Sequence, residues 1–522
     1  MENKNTERFG IPTEFTLTPE NDRIRVKFFE KNAGTELSSD FTLPDYLPEI
    51  RKMLGVTSKI SPISRYIGNS IEFSGRIDYD LIYCTSDGEL ASVPLGEDFS
   101  FEVQPEVPSH IDWSSGGDAF ADINADMLHV RVTAPRKVNV KCRLHALVRA
   151  YGYDETDAGL RGSSQSSEKL ISEPKCTAFY RNMSEVIELS DEITVSGSTE
   201  NMRPIISRGN VNITDVSRGE NRLNCRGEVI SETLMENKET GEIGSYTKKI
   251  PFTHDIELSA ENGGEQTSHN IRGICGEIRL NNSENRYLID TEVILEADTA
   301  VTTAVTVTED LFVPGMDSTV DYRDFKYEAL EKCGNGTVTV AESFPLSDLS
   351  LSEGSEILDR NASVRIEGLS QNGRNGIIGG NIKLWVLSRN GGEYASGEIS
   401  IPFALDTGAD ITGKKISLSA KPTVNSARCR IEGDKAICEA EISISYCLMS
   451  EECIRIADSI RSQENNDDSN SGITVYYPEK GETLWTVAKK FGTSLRSIAE
   501  MNDLPSLKGN EDISGRQFIM IY

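Results

Sequence analysis

The chain has little of the chemistry that metals, nucleotides or hydrolytic nucleophiles require. Its 522 residues include five histidines and three tryptophans. His110, His129, His145, His254 and His269 show no ligand spacing beside cysteine pairs. Ten cysteines are scattered without one C-x-x-C pair, several in strand-like runs such as VNVKCRLHALV, and they read as buried reduced thiols. No G-x-x-x-x-G-K-[ST], H-E-x-x-H or G-x-S-x-G occurs. Gly373–Gly380 is glycine-rich, but it precedes a strand and opens no helix, so it reads as a turn. Carboxylates are abundant, yet none sits in a motif that would hold a catalytic pair about 5–10 Å apart. No enzyme, no cofactor and no metal is expected.

Basic residues are also in short supply, 54 against 83 acidic, for a net charge of −29. Such a surface repels nucleic acid and anionic membranes, so neither is expected as a direct partner. Simple solubility explains the excess equally well. No run approaches the roughly 18–20 apolar residues of a membrane span. The start, MENKNTER, lacks the apolar core of a secretory signal. These features predict a cytoplasmic chain of about three to four domains.

Helical periodicity is scarce before residue 450, apart from a short run near Tyr322–Cys333. What is present is a repeat. Gly75, Gly227 and Gly380 lie 152 and 153 residues apart, and each opens a strand of alternating character. A polar turn follows, at Asp87-Gly88, Thr240-Gly241 and Asn390-Gly391, and a further strand closes near Phe99, Phe252 and Phe403. Each glycine precedes its phenylalanine by 24, 25 and 23 residues. A later alternating strand recurs at 138–148, 286–295 and 435–445. Period-two alternation with turns of this kind predicts antiparallel sheets, each with one buried face. The fold class expected is mainly β: tandem all-β units, sandwiches or small barrels, over 1–160, 161–310 and 311–458. Residues 459–472 carry RSQENNDDSNSG and read as a flexible tether.

The last fifty residues predict a small α+β unit over 473–522, in the order strand, helix, helix, strand. Thr483 is placed to cap a helix whose Leu484, Val487, Ala488 and Phe491 form one stripe. Gly492 stops it, Ser494 caps a second helix with Leu495, Ile498 and Ala499 inward, and Phe518, Ile519 and Ile521 form the closing strand.

This tail resembles a LysM domain in Gly481-Glu482-Thr483-Leu484-Trp485, in Asn502 followed by Leu504, and in Gly515. LysM domains usually bind N-acetylglucosamine chains such as peptidoglycan, and some bind protein. Their groove lies between the loop after the first strand and the loop after the second helix. The resemblance therefore implies a groove of Gly481, Glu482, Thr483 and Leu484 facing Met501, Asn502, Asp503, Leu504 and Pro505. Trp485 reads as core, and Asn502 as a helix-end cap. The repeated units resemble the SPOCS domain of clostridial sporulation proteins, in Leu43-Pro-Asp-Tyr-Leu-Pro48 and in the glycine, strand, turn and phenylalanine layout. Pro44 and Pro48 flank Tyr46 and Leu47, which read as pinning this segment onto its unit. The second unit departs from the pattern, with Glu232-Thr-Leu-Met-Glu where the first has Tyr79 and Tyr83, which suggests a different surface there. SPOCS units followed by LysM imply a non-enzymatic scaffold of spore coat assembly, in the mother-cell cytoplasm at the forespore surface. Its LysM domain would engage the ATPase of the coat basement layer (SpoIVA-like). The other reading is a peptidoglycan binder anchored to wall or cortex.

Overall fold

The structure is a computed structural model. It describes residues 13–14, 23–155, 167–464 and 472–522, apart from breaks at 62, 69, 115, 195–198, 220, 259–264, 284–285, 505–508, 511 and 514. Among the described residues the chain is mainly β, with two short α-helices near its C-terminus.

The first unit holds six long strands: β1 (Arg23–Thr42), β2 (Ile50–Ile60), β3 (Ile71–Thr85), β4 (Leu90–Val103), β5 (Asp118–Ala134) and β6 (Lys137–Glu155). They pair antiparallel as β1-β6-β5 and β2-β3-β4. A core that includes Phe73, Tyr79 and Leu81 of one sheet and Val140, Leu144 and Val148 of the other lies between the two sheets. A short strand β7 (Glu168–Ser172) precedes the second unit. That unit contains β8 (Lys175–Met183), β9 (Ile187–Ile193), β10 (Met202–Arg218), β11 (Arg222–Asn237), β12 (Ile243–Glu257), β13 (Glu265–Ser283) and β14 (Arg286–Ala304). Here β8 and β9 share one edge of β14, β13 takes the other, and β10-β11-β12 form the second sheet. After β15 (Val307–Phe312), which pairs with β7, the third unit repeats the layout. Its strands are β16 (Met316–Pro345), β17 (Glu356–Asn372), β18 (Asn375–Asn390), β19 (Glu393–Asp410), β20 (Ile416–Glu432) and β21 (Lys435–Glu464). They form β16-β21-β20 and β17-β18-β19.

The glycine–phenylalanine repeat has a physical cause. Gly75, Gly227 and Gly380 stand directly across the strand pair from Phe99, Phe252 and Phe403. A Cβ on each glycine would lie 2.9, 2.7 and 2.7 Å from the ring tip of that phenylalanine. The bare backbone lets the ring lie across it, and at Gly227 and Gly380 a Cβ would also run into the Asn212 and Arg365 carbonyls of the neighbouring strand, 2.5 and 2.2 Å away.

The three units also share their contacts with one another. Leu54, Ile206 and Leu358, each 152 residues from the next, meet in one buried cluster with Leu90, Ile243 and Tyr394. A second junction is ionic. Arg181 holds Asp298 at 2.7 Å, Asp122 at 2.7 Å and Glu296 at 3.2 Å, and Lys421 approaches Asp298 at 2.9 Å. Arg149 joins Asp122 at 3.0 Å and Glu30 at 3.1 Å, and donates to the Leu418 carbonyl. Lys27 pairs with Glu328 at 2.6 Å. These groups come from all three units, and burying them is tolerable because each charge has an opposite partner.

Several expectations change. Tyr322–Cys333 is part of β16 and pairs with β21; its register slips between Leu330 and Lys332, so a strand imitates helical spacing. Ser459–Glu464, expected in the tether, are the end of β21, laddered to Met316–Asp321. Residues 465–471 lie outside the described residues. Cys333 and Cys447, expected as free thiols, are cross-strand partners with Cα atoms 4.2 Å apart, joined in a disulfide. Tyr79 and Tyr83 are core residues, and so are Ser231 and Met235, 152 residues on. The second unit thus differs there in its core filling. Leu43 is buried and Leu47 packs on the core, but Tyr46 is 85 % exposed and pins nothing. Gly373 is the left-handed turn residue between β17 and β18.

Candidate functional site

The C-terminal unit is built as its sequence predicts: β22 (Thr474–Tyr476), α1 (Leu484–Phe491), α2 (Leu495–Met501) and β23 (Ile519–Ile521). Thr483 and Thr486 form a reciprocal cap, the Thr486 amide donating to Thr483 Oγ1 at 3.3 Å and the Thr483 amide to Thr486 Oγ1 at 2.9 Å. Gly492 ends α1 in the left-handed region at φ 61°, and Ser494 caps α2. β22 and β23 pair antiparallel, with Ile519 and Ile521 turned onto the helices.

In the first loop, Gly481 takes φ 88°, with open space where a Cβ would stand. Glu482 is committed to the turn. Its carboxylate accepts the Glu479 amide at 2.7 Å and the Tyr476 hydroxyl at 2.8 Å, and these bonds hold it below the usual carboxylate range. The Glu482 carbonyl accepts the Ile513 amide, Thr483 bridges Asp512, and the Trp485 amide donates to Gly509. Leu484 is fully buried. This loop is therefore laced to 509–513, and Gly481 with the exposed rim of Thr483 is the part open to a ligand.

The second loop is fixed differently. Asn502 donates to the Ile498 and Met520 carbonyls at 2.8 and 2.7 Å and accepts the Met520 amide at 2.8 Å, so its amide ties α2 to β23. Asp503 is exposed and takes φ 52°, the left-handed region that disfavours a side chain. Met501 and Leu504 are half-buried, and Leu504 packs against the core. Pro505 lies outside the described residues. Of the nine predicted groove residues, Leu484 and Asn502 thus serve the fold, Glu482 serves the turn, and Gly481, Thr483 and Asp503 offer accessible surface.

Trp485 is core, 4 % exposed, but the core it joins is shared with the β body. Its ring packs edge-on against Phe312 of β15, with centroids 5.1 Å apart. Its indole N–H donates to Asp310 at 2.8 Å. Asp310 also accepts Lys489 at 2.6 Å and the Tyr322 hydroxyl at 2.6 Å. Burial alone would raise the Asp310 carboxyl; the bonds from Lys489, Tyr322 and Trp485 outweigh it and hold the group below its ordinary value. The Gly315 amide donates to the Gly492 carbonyl, and Leu170 of β7 joins the same core. The unit is thus seated on the β7–β15 pair. No local pattern in the sequence signals this seat, because its two halves lie about 175 residues apart.

The LysM domain family matches residues 479–510, which run from the turn before α1 through both helices to the segment after them. The chain therefore carries a C-terminal LysM domain. No curated protein and no solved structure matches the chain.

Proposed function

We propose that this protein is a non-enzymatic scaffold of spore coat assembly, built from three SPOCS-like β-sandwich domains and one LysM domain. In this reading it acts in the mother-cell cytoplasm, at the forespore surface, like the SipL type of coat morphogenesis factor. The LysM groove binds a protein, the ATPase of the coat basement layer. The observation that carries the reading is the build. Three copies of one two-sheet unit meet through equivalent residues and a shared ion cluster, and a single LysM domain is seated on them through Asp310. Such a body is suited to holding partners at fixed spacing.

The second reading rests on the LysM match itself, since N-acetylglucosamine glycan is the common ligand of that family. Gly481 and Asp503 lie in the two loops where a sugar acetamido group would be held. The whole chain, titrated calorimetrically with chito-oligosaccharide and with the basement-layer ATPase of the same organism, separates the two. Saturable binding of the ATPase, with no heat from the sugar, is the expected outcome. Binding of sugar alone overturns the scaffold reading and makes the protein a wall or cortex binder.

A further inference from the structure

The LysM domain carries a second surface, unrelated to its groove. Period-two alternation puts Ile473, Val475 and Tyr477 on one face of β22, and Phe518, Met520 and Tyr522 on the same face of β23, because Val475 and Met520 are direct cross-strand partners. The opposite face, with Tyr476, Ile519 and Ile521, packs on the helices, and α1 in turn packs on Phe312 of the β body. The outer face is therefore the one turned away from the helices. It is strongly exposed: Ile473 63 %, Val475 50 %, Tyr477 68 %, Phe518 44 % and Tyr522 73 %.

We propose that this face is where two copies of the chain meet, sheet against sheet, about a two-fold axis. Three observations point to a second copy as the occupant. The first is area. The exposed side chains offer roughly 600 Å², the top of the range for one patch on a monomer. Two such faces together reach about 1,200 Å², where stable protein interfaces begin. The second is charge. The six acidic and six basic residues of 473–522 cancel, so the whole excess of −29 lies on residues 1–472. Two such bodies repel, and an uncharged module at the end of each is the place where copies can join with the bodies held apart. The third is composition. The face carries no charged side chain, only apolar groups and the rings of two tyrosines, so a second copy meets no like charge across it and no oppositely charged partner is needed. This inference does not depend on what the groove binds.

Sedimentation equilibrium of the full chain over a concentration series tests it. The mass should rise from one chain towards two. Val475→Glu and Tyr477→Ser should each move the midpoint upward by about tenfold or more. Tyr46→Ser, at an 85 % exposed site on the first unit, should leave it unchanged. Melting curves identify a face variant that has merely unfolded, and Tyr477→Ser, remote from the inner core, is the one retained in that event. A single-chain mass at every concentration overturns the proposal. So does a dimer that survives Tyr477→Ser, or a monomeric chain in which Tyr477→Ser costs only glycan or ATPase binding.

Discussion

Replacing Asp310 by alanine should release the LysM domain from the β body without unfolding either. Asp310 accepts from the Trp485 indole at 2.8 Å, from Lys489 at 2.6 Å and from the Tyr322 hydroxyl at 2.6 Å. Hydrogen bonds to a charged group contribute about 1.5 kcal/mol or more each, and truncation leaves the indole N–H and the ammonium without their acceptor. Tyr322 can turn to water, so two bonds set the scale, about 3 kcal/mol. That corresponds to a shift of about 150-fold in the seated-to-released equilibrium. Hydrogen exchange should quicken by about that factor over Val307–Phe312 and at the Gly315 amide, which bonds Gly492, while the centre of β21 keeps its protection. Exchange within about tenfold of the parent at these amides would refute the reasoning. The pH dependence carries the same sign. Because the seated carboxyl is held low, its contribution is complete above the free carboxylate value and is lost as pH falls through the lowered one.

Other consequences follow from single contacts. Lys421→Met leaves Asp298 and Glu296 short of a buried cation and should cost about 3–5 kcal/mol in denaturant titration, with the junction between the second and third units failing first. Trp485→Ala removes the ring shared with Phe312 and should cost about 3–5 kcal/mol, read as loss of protection throughout 474–521. Gly481→Ala forces a side chain onto φ 88° and should cost the LysM domain about 1–2 kcal/mol in thermal unfolding, with no steric contact to blame. His269, pushed down to about 4 by burial and by Arg218, stays neutral in the folded chain. Stability linked to it is complete above about pH 6.5 and declines as pH falls towards 4, by up to about 3 kcal/mol before a discount for partial exposure. His269→Gln should flatten that stretch of the stability–pH curve.

What could be read in the sequence is what local rules govern. Thr483, Gly492 and Ser494 mark the helix ends because caps are made within four residues of themselves. The glycine and phenylalanine repeat was visible as spacing, although its cause, a ring lying across a bare backbone, needed the register. Tyr322–Cys333 misled because a bulge shifts the buried side of a strand, which copies a helical interval. Ser459–Glu464 looked like tether because they are mostly polar, but Ile460 is buried beside Leu311 and Val313, and the main-chain ladder to Met316–Asp321 holds the rest. Arg149, Asp298 and Lys421 belong to different units, and no single stretch of sequence announces that they share one cluster. Asp310 and Trp485 failed to appear together for the same reason. Within the LysM unit, the family pattern names two loops, one before α1 and one after α2. It could not tell that Asn502 is spent on Ile498 and Met520 while Gly481 and Asp503 remain open.

The central claim is that the LysM groove takes a protein while the domain stays seated on the β body. Hydrogen exchange of the whole chain, with and without saturating basement-layer ATPase, tests it in one experiment. The account predicts new protection at 481–483 and 501–504, with Val307–Phe312 unchanged. Protection of those loops by chito-oligosaccharide but not by the ATPase would contradict it.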